Sequence, residues 1–108
     1  MTLLQQRDAT RLLRRNDLYD ATRARLRTAL NELIPGNTVL VFGSLTHRGQ
    51  FNDASDVDLA FEIQPNGIDT LQLMAELFEQ LDRPVDIINL EGCRFREKIL
   101  RTGERWIT

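Results

Sequence analysis

The sequence predicts a small α/β fold in which helices pack on a sheet of short strands behind an N-terminal helical extension. Three observations predict it. About 35 residues at the start carry apolar residues at helical spacing and no strand-like run. Short runs rich in Val, Ile and Leu follow at residues 38–42, 56–63 and 85–88, with a helical pattern between the last two. The chain has 108 residues, enough for one core and therefore one domain.

The elements follow in order. Leu3, Leu4, Leu12 and Leu13 mark a sparse first helix ending near Arg15. Asn16 or Asp17 caps a second, in which Leu18, Thr22, Leu26, Ala29, Leu30 and Leu33 recur every three or four residues and make one apolar stripe. Pro35-Gly36-Asn37 ends it. Residues 1–34 are thus helical and 38–108 form the core. A strand spans 38–42, a short helix 44–50, a loop 51–55 and a second strand 56–63. Pro65-Asn66-Gly67 turns the chain, and Asp69 caps a helix whose stripe is Leu71, Met74, Ala75, Leu77, Phe78 and Leu81. Arg83-Pro84 ends that helix before a third strand at 85–88. A last helix at 94–101 and a short edge strand at 105–107 complete the chain.

Composition sets limits. No apolar run approaches the ~20 residues that span a bilayer, and arginines from Arg7 onward interrupt any signal-peptide core. Cys93 is the only cysteine, which excludes an internal disulfide and a cysteine-rich zinc site. The expected location is cytoplasmic, with no membrane partner. The net charge of −2 hides an asymmetry: residues 1–27 carry seven arginines against three aspartates, and the remainder is acidic. Such a flank can attract RNA, a nucleotide tail or an acidic protein face. Its ordinary reading is a solvated helix surface. Tyr19 is the only aromatic residue among the arginines, so stacking on single-stranded RNA is weakly supported.

The chemistry concentrates at Gly43-Ser44 and at Ser55-Asp56-Val57-Asp58-Leu59. Residues i and i+2 of a strand share a face, so Asp56 and Asp58 point one way while Val57, Leu59 and Phe61 point the other. Two adjacent carboxylates repel unless a positive charge lies between them. Mg²⁺ suits a few carboxylates plus phosphate oxygens. A backbone turn at Gly43-Ser44 can hold those phosphates through N–H groups, and Ser44 can cap the following helix as well. Metal and phosphate together point to nucleotide chemistry.

These residues resemble a known family. GSxxxxG followed by SDxDL is similar to the active-site signature of the polymerase beta-type nucleotidyltransferases, and the small size resembles their minimal branch. The resemblance runs from about Thr38 to the C-terminus and implies a mixed sheet with a third aspartate on a later strand; Asp86, in Pro84-Val85-Asp86-Ile87-Ile88, fills that place. It further implies two Mg²⁺ ions held by Asp56, Asp58 and Asp86, ATP as substrate, and Asp86 helping to deprotonate the attacking hydroxyl. Gly43 and Ser44 would hold the nucleotide, with Arg48 touching the triphosphate through its planar fork. Minimal members resemble antitoxins paired with a HEPN-type ribonuclease toxin. The implied function is a protein adenylyltransferase that places AMP on a tyrosine of that cognate toxin. Larger relatives bind the acceptor with a second domain, so here a partner chain is expected to supply it.

Other readings stand beside this one. The chain could modify a small molecule or an RNA end, mask a toxin by contact alone, or sense a nucleotide without turnover. Three intact aspartates argue against pure binding. His47 reads as a surface residue, Glu62 as a salt-bridge partner and Cys93 as a small packing residue.

Overall fold

A computed structural model describes residues 2–108. The first element is a single helix, α1 (Leu3–Leu33), where the sequence predicts two. Neither Pro nor Gly interrupts residues 3–33, and Asn16 and Asp17 are polar residues that a helix tolerates. The helix is capped at its start by Thr2, whose hydroxyl accepts from the Gln5 N–H while the Gln5 side chain accepts from the Thr2 N–H. Its second half behaves as expected: Thr22, Leu26, Ala29 and Leu30 are buried. Residues 2–15 are exposed throughout.

The strands are β1 (Thr38–Phe42), β2 (Val57–Phe61), β3 (Val85–Asn89) and β4 (Glu104–Ile107), in the order β3-β2-β1-β4. β1 runs antiparallel to β2 and β4, while β2 and β3 are parallel, so the sheet is mixed. β4 takes the edge, as the sequence predicts. β2 is shorter than the expected 56–63. The expected helix at 44–50 is a 3₁₀ turn, Gly43–Thr46, followed by further turns.

Alternation along the strands divides the sheet into two faces. One presents Val39, Val41, Val57, Leu59, Phe61 and Val85 to α1 and to α2 (Thr70–Leu81), forming the main core. The other presents Leu40 and Ala60 to α3 (Arg96–Thr102), through Ile99 and with Leu90. α2 starts at its expected cap, since the Asp69 carboxylate accepts from the Leu71 N–H. Its buried stripe differs from expectation. Leu73, Leu77 and Leu81 are buried, whereas Leu71 and Phe78 stand in solvent. The i, i+4 row that meets both α1 and the sheet wins over the wider apolar arc, because one helix cannot bury two stripes against a single partner layer.

Candidate active site

In the sheet register, Phe42 pairs with Asp58 and Asp58 with Asp86. Paired residues share a face, so these three side chains form one row across the sheet, with Cβ atoms roughly 5 Å apart. The next row, Leu40, Ala60 and Ile88, lies under α3. The acidic row is therefore the first that α3 leaves open. The result is a cleft of about 630 Å³ with Gly43, Asp58 and Asp86 on the sheet side, and Phe95 at the start of α3 with Lys98 and Thr102 on it across from them.

The Gly43 corner touches this row directly. Gly43 has φ +73°, a left-handed conformation that ordinary side chains rarely adopt. A Cβ placed there would collide with Oδ2 of Asp58. Backbone and carboxylate are packed as closely as only glycine permits. Ser44 follows in the 3₁₀ turn, half-buried, and the Thr46 hydroxyl donates to the Gly43 carbonyl at 2.7 Å. At the start of a helical turn the first N–H groups have no partner inside it, so this corner can offer donors to an anion.

Asp58 bears the strain of the arrangement. Its carboxyl is pushed above the ordinary carboxylate range, first by burial, then by the charges of Asp86 and Asp56. Asp56 stands just before β2, exposed, at the end of the loop that leads into the strand. Among the described residues, no three His, Cys, Asp or Glu side chains close into a metal cluster. The donor chemistry nevertheless fits a hard divalent cation: oxygen ligands only, and a half-buried carboxylate raised by two like neighbours that a cation would relieve.

The structure thus brings Asp58, Asp86 and Gly43 together, with Asp56 close enough to act on Asp58 through its charge. Arg48 is turned elsewhere. It pairs with Asp20 of α1 and lies over the Tyr19 ring, 5.1 Å from the centroid, and it does not line the cleft. His47, read from the sequence as a surface residue, is exposed and lines the cleft. Glu62 pairs with Arg105 at 2.7 Å and approaches Arg96 at 3.9 Å, as a salt-bridge residue. Cys93 packs, partly buried, against the small cluster under α3.

Sequence reasoning missed Arg83, which it treated only as part of a helix stop. Arg83 is buried and donates to the carbonyls of Ser55 at 2.6 Å and Asn52 at 3.2 Å. Its guanidinium also lies 4.5 Å from the Phe51 ring centroid. It holds both ends of the loop that delivers Asp56. Arg23 was likewise read as surface charge. It bridges Glu104 at 2.6 Å and donates to the Leu45 carbonyl at 2.8 Å, tying α1 to the 3₁₀ turn. No local pattern marks either arginine, because both act on backbone carbonyls far away in sequence.

Comparison with known proteins agrees with this architecture. None of the curated proteins matches the chain significantly by sequence. By structure it is similar to a chain of a toxin-antitoxin crystallised with AMP-PNP, at 24% identity and a TM-score of 0.57, over 79% of this chain and 73% of that one. It is also similar to a chain of the toxin-antitoxin MntA-HepT, at 21% identity and a TM-score of 0.56, over 82% and 73%. At such identities the likeness concerns the fold. A family profile described as "Polymerase beta, Nucleotidyltransferase" matches residues 25–107. Because that match takes in the whole sheet and both walls of the acidic cleft, the chain belongs to the polymerase beta nucleotidyltransferase family.

Proposed function

We propose that this nucleotidyltransferase-family chain transfers AMP from ATP, with Mg²⁺, to a tyrosine hydroxyl of a cognate HEPN-type ribonuclease toxin, and so acts as its antitoxin. The observation that carries the proposal is the in-register pairing of Asp58 with Asp86 on an open face beside Gly43. The partner is suggested by the structural neighbours, which are toxin-antitoxin complexes, one of them with a nucleotide analogue.

The chain's own residues divide the work. Asp56, Asp58 and Asp86 would hold the cation, and a divalent ion bound there lowers the pKa of the acceptor hydroxyl and offsets charge on the departing pyrophosphate. The Gly43-Ser44 backbone orients the phosphates for in-line attack. The acceptor oxygen forms a bond to the α-phosphorus as the bond to pyrophosphate breaks, and Asp86 takes the acceptor's proton. The protein supplies chiefly position and charge, which is what nucleotidyl transfer requires.

The test is incubation of the chain with its candidate toxin, ATP and Mg²⁺, followed by intact-mass measurement. The toxin should gain the mass of AMP, with loss of the gain in Asp58→Asn and Asp86→Asn. A second reading, masking by contact, is favoured by the exposed Leu3, Leu4, Leu12 and Leu13 on α1. Neutralisation of the toxin at full strength by both aspartate variants would select it.

A further inference from the structure

The chain has thirteen arginines and a single lysine, Lys98, and that lysine is the one standing cation on the cleft wall. His47 is the other basic side chain there. Lys98 is exposed and makes no ion pair among the described residues. Just before the first turn of α3 stands Phe95, 59% exposed although large and apolar, and it lines the same cleft. Phe95 and Lys98 line the cleft together with Asp58 and Asp86. With Ile99, Phe95 gives the cleft an apolar wall opposite Asp58 and Asp86, while Ile88 on β3 adds an apolar floor beside Asp86.

The Thr102 end of this helix lies toward β1, because a Cβ on the next residue, Gly103, would meet the Phe42 side chain at 3.6 Å. Phe42 directly precedes Gly43, so α3 runs away from the phosphate corner toward Phe95. A ligand lying along it would meet phosphate-binding groups first and an aromatic surface last. That sequence of groups matches a nucleoside triphosphate.

We propose that α3 forms the nucleotide-binding wall of the cleft, with Lys98 contacting the β- and γ-phosphates and Phe95 stacking on the base. This rests on the nucleotidyltransferase reading and adds its nucleotide subsite. Lys98 thereby supplies the cation that the sequence suggests at Arg48, which pairs with Asp20 of α1 and does not line the cleft. A stacking platform has no edge-reading hydrogen bonds, so it discriminates weakly among purine bases.

The experiment is calorimetric titration of AMP-PNP, GMP-PNP, AMP and adenosine with Mg²⁺ against wild type, Lys98→Ala, Lys98→Arg and Phe95→Ala. Both positions are exposed, and circular dichroism melts check that each variant stays folded. Lys98→Ala should weaken AMP-PNP about tenfold or more and leave adenosine within twofold, and Lys98→Arg should recover most of the loss. Phe95→Ala should weaken all four ligands by a similar factor of about five or more. AMP-PNP and GMP-PNP should differ by less than about fivefold in wild type. AMP-PNP affinity in Lys98→Ala within twofold of wild type overturns the proposal, as does equal loss of AMP-PNP and adenosine. Failure of wild type to bind any of the four removes both this proposal and the transfer reaction. Lys98-dependent binding without AMP transfer to the toxin leaves this subsite standing and removes the transfer reaction alone.

Discussion

At the scale of single residues, Gly43 and Asp58 form a mutually restrictive pair. Gly43 has a positive φ and its missing Cβ is what lets the Asp58 carboxylate sit against the turn. In Gly43→Ala the new methyl must displace Asp58, and the left-handed backbone adds about 1–2 kcal/mol of strain. Loss of phosphate orientation and of carboxylate position together should cut transfer at least a hundredfold, measured by radiolabel incorporation, while the melting curve shifts by only that strain. Asp58 carries an opposite lesson. Its native pKa lies above its ordinary value of 3.8, so the folded state holds the proton more tightly than the unfolded chain. Stability therefore falls as pH rises from that value through the native pKa, and the ionised group opposes folding at pH 7. Asp58→Asn should melt at a higher temperature than wild type at pH 7, with the gap closing near pH 3, where both carboxyl states are protonated. Mg²⁺ should raise the wild-type melting temperature and leave that of Asp58→Asn nearly unchanged. An Asn variant less stable than wild type at pH 7 would show that the carboxylate is relieved by something other than a cation.

At the scale of elements, what the sequence made legible was what local patterning controls. The strands around Val39–Val41, Leu59 and Val85–Ile87 announce themselves by β-branched apolar runs, and Asp69 announces its helix by capping chemistry. The sequence pairs Asp56 with Asp58 through a strand's period of two. But β2 starts at Val57, so that period applies to Asp58 alone, and Asp56 reaches it by charge from the end of the loop. Their partnership with Asp86 was not readable from spacing, because strand register is a tertiary property, and it came from family resemblance. The α2 stripe failed for a related reason. Leu71 and Phe78 satisfy the same helical period as Leu73 and Leu77, and only the placement of α1 decides between the arcs. Arg83 lies beyond any pattern, yet its contacts make it the brace of the 51–55 loop. In Arg83→Met the stem packing over Phe51 is largely kept, while the Ser55 and Asn52 carbonyls lose their donor. A cost of about 1–3 kcal/mol is expected from thermal melts. The loop's grip on Asp56 should loosen as well. The apparent Mg²⁺ requirement for transfer should then rise several-fold, whereas a merely global destabilisation would lower the amount of folded protein and leave that requirement as it was.

At the scale of the whole molecule, the dominant feature is that α1 is longer than the body it packs on. Its 31 residues span about 46 Å at ~1.5 Å per residue, and the molecule is 53 Å in its longest dimension against 28 and 20 Å in the others. The first half of the helix carries Leu3, Leu4, Leu12 and Leu13, all more than half exposed, among Arg7, Arg11, Arg14 and Arg15. Successive helical residues are 100° apart, so these four leucines fall on four different sides, and no single stripe is left to bury against the sheet. What ties this arm to the body near its root is an exposed pair, Arg14 with Asp53 at 3.5 Å, and such pairs contribute at most about 1 kcal/mol. Removing residues 2–9 should therefore spare the fold. Thr10 would then stand where an N-cap is needed, replacing the lost Thr2 cap. The melting temperature and AMP-PNP affinity of the shortened chain should match those of the full chain within error. Its effect on the toxin should separate the two functional readings. If the arm is a docking element for the acceptor, the KM for toxin rises about tenfold or more while kcat stays within twofold, because the chemistry at Asp58 and Asp86 is untouched. Neutralisation that survives the truncation undiminished, with unchanged KM, would assign Leu3, Leu4 and Arg7 no part in capturing that partner. The acceptor would then be held by the cleft, its rim and the part of α1 from Thr10 onward.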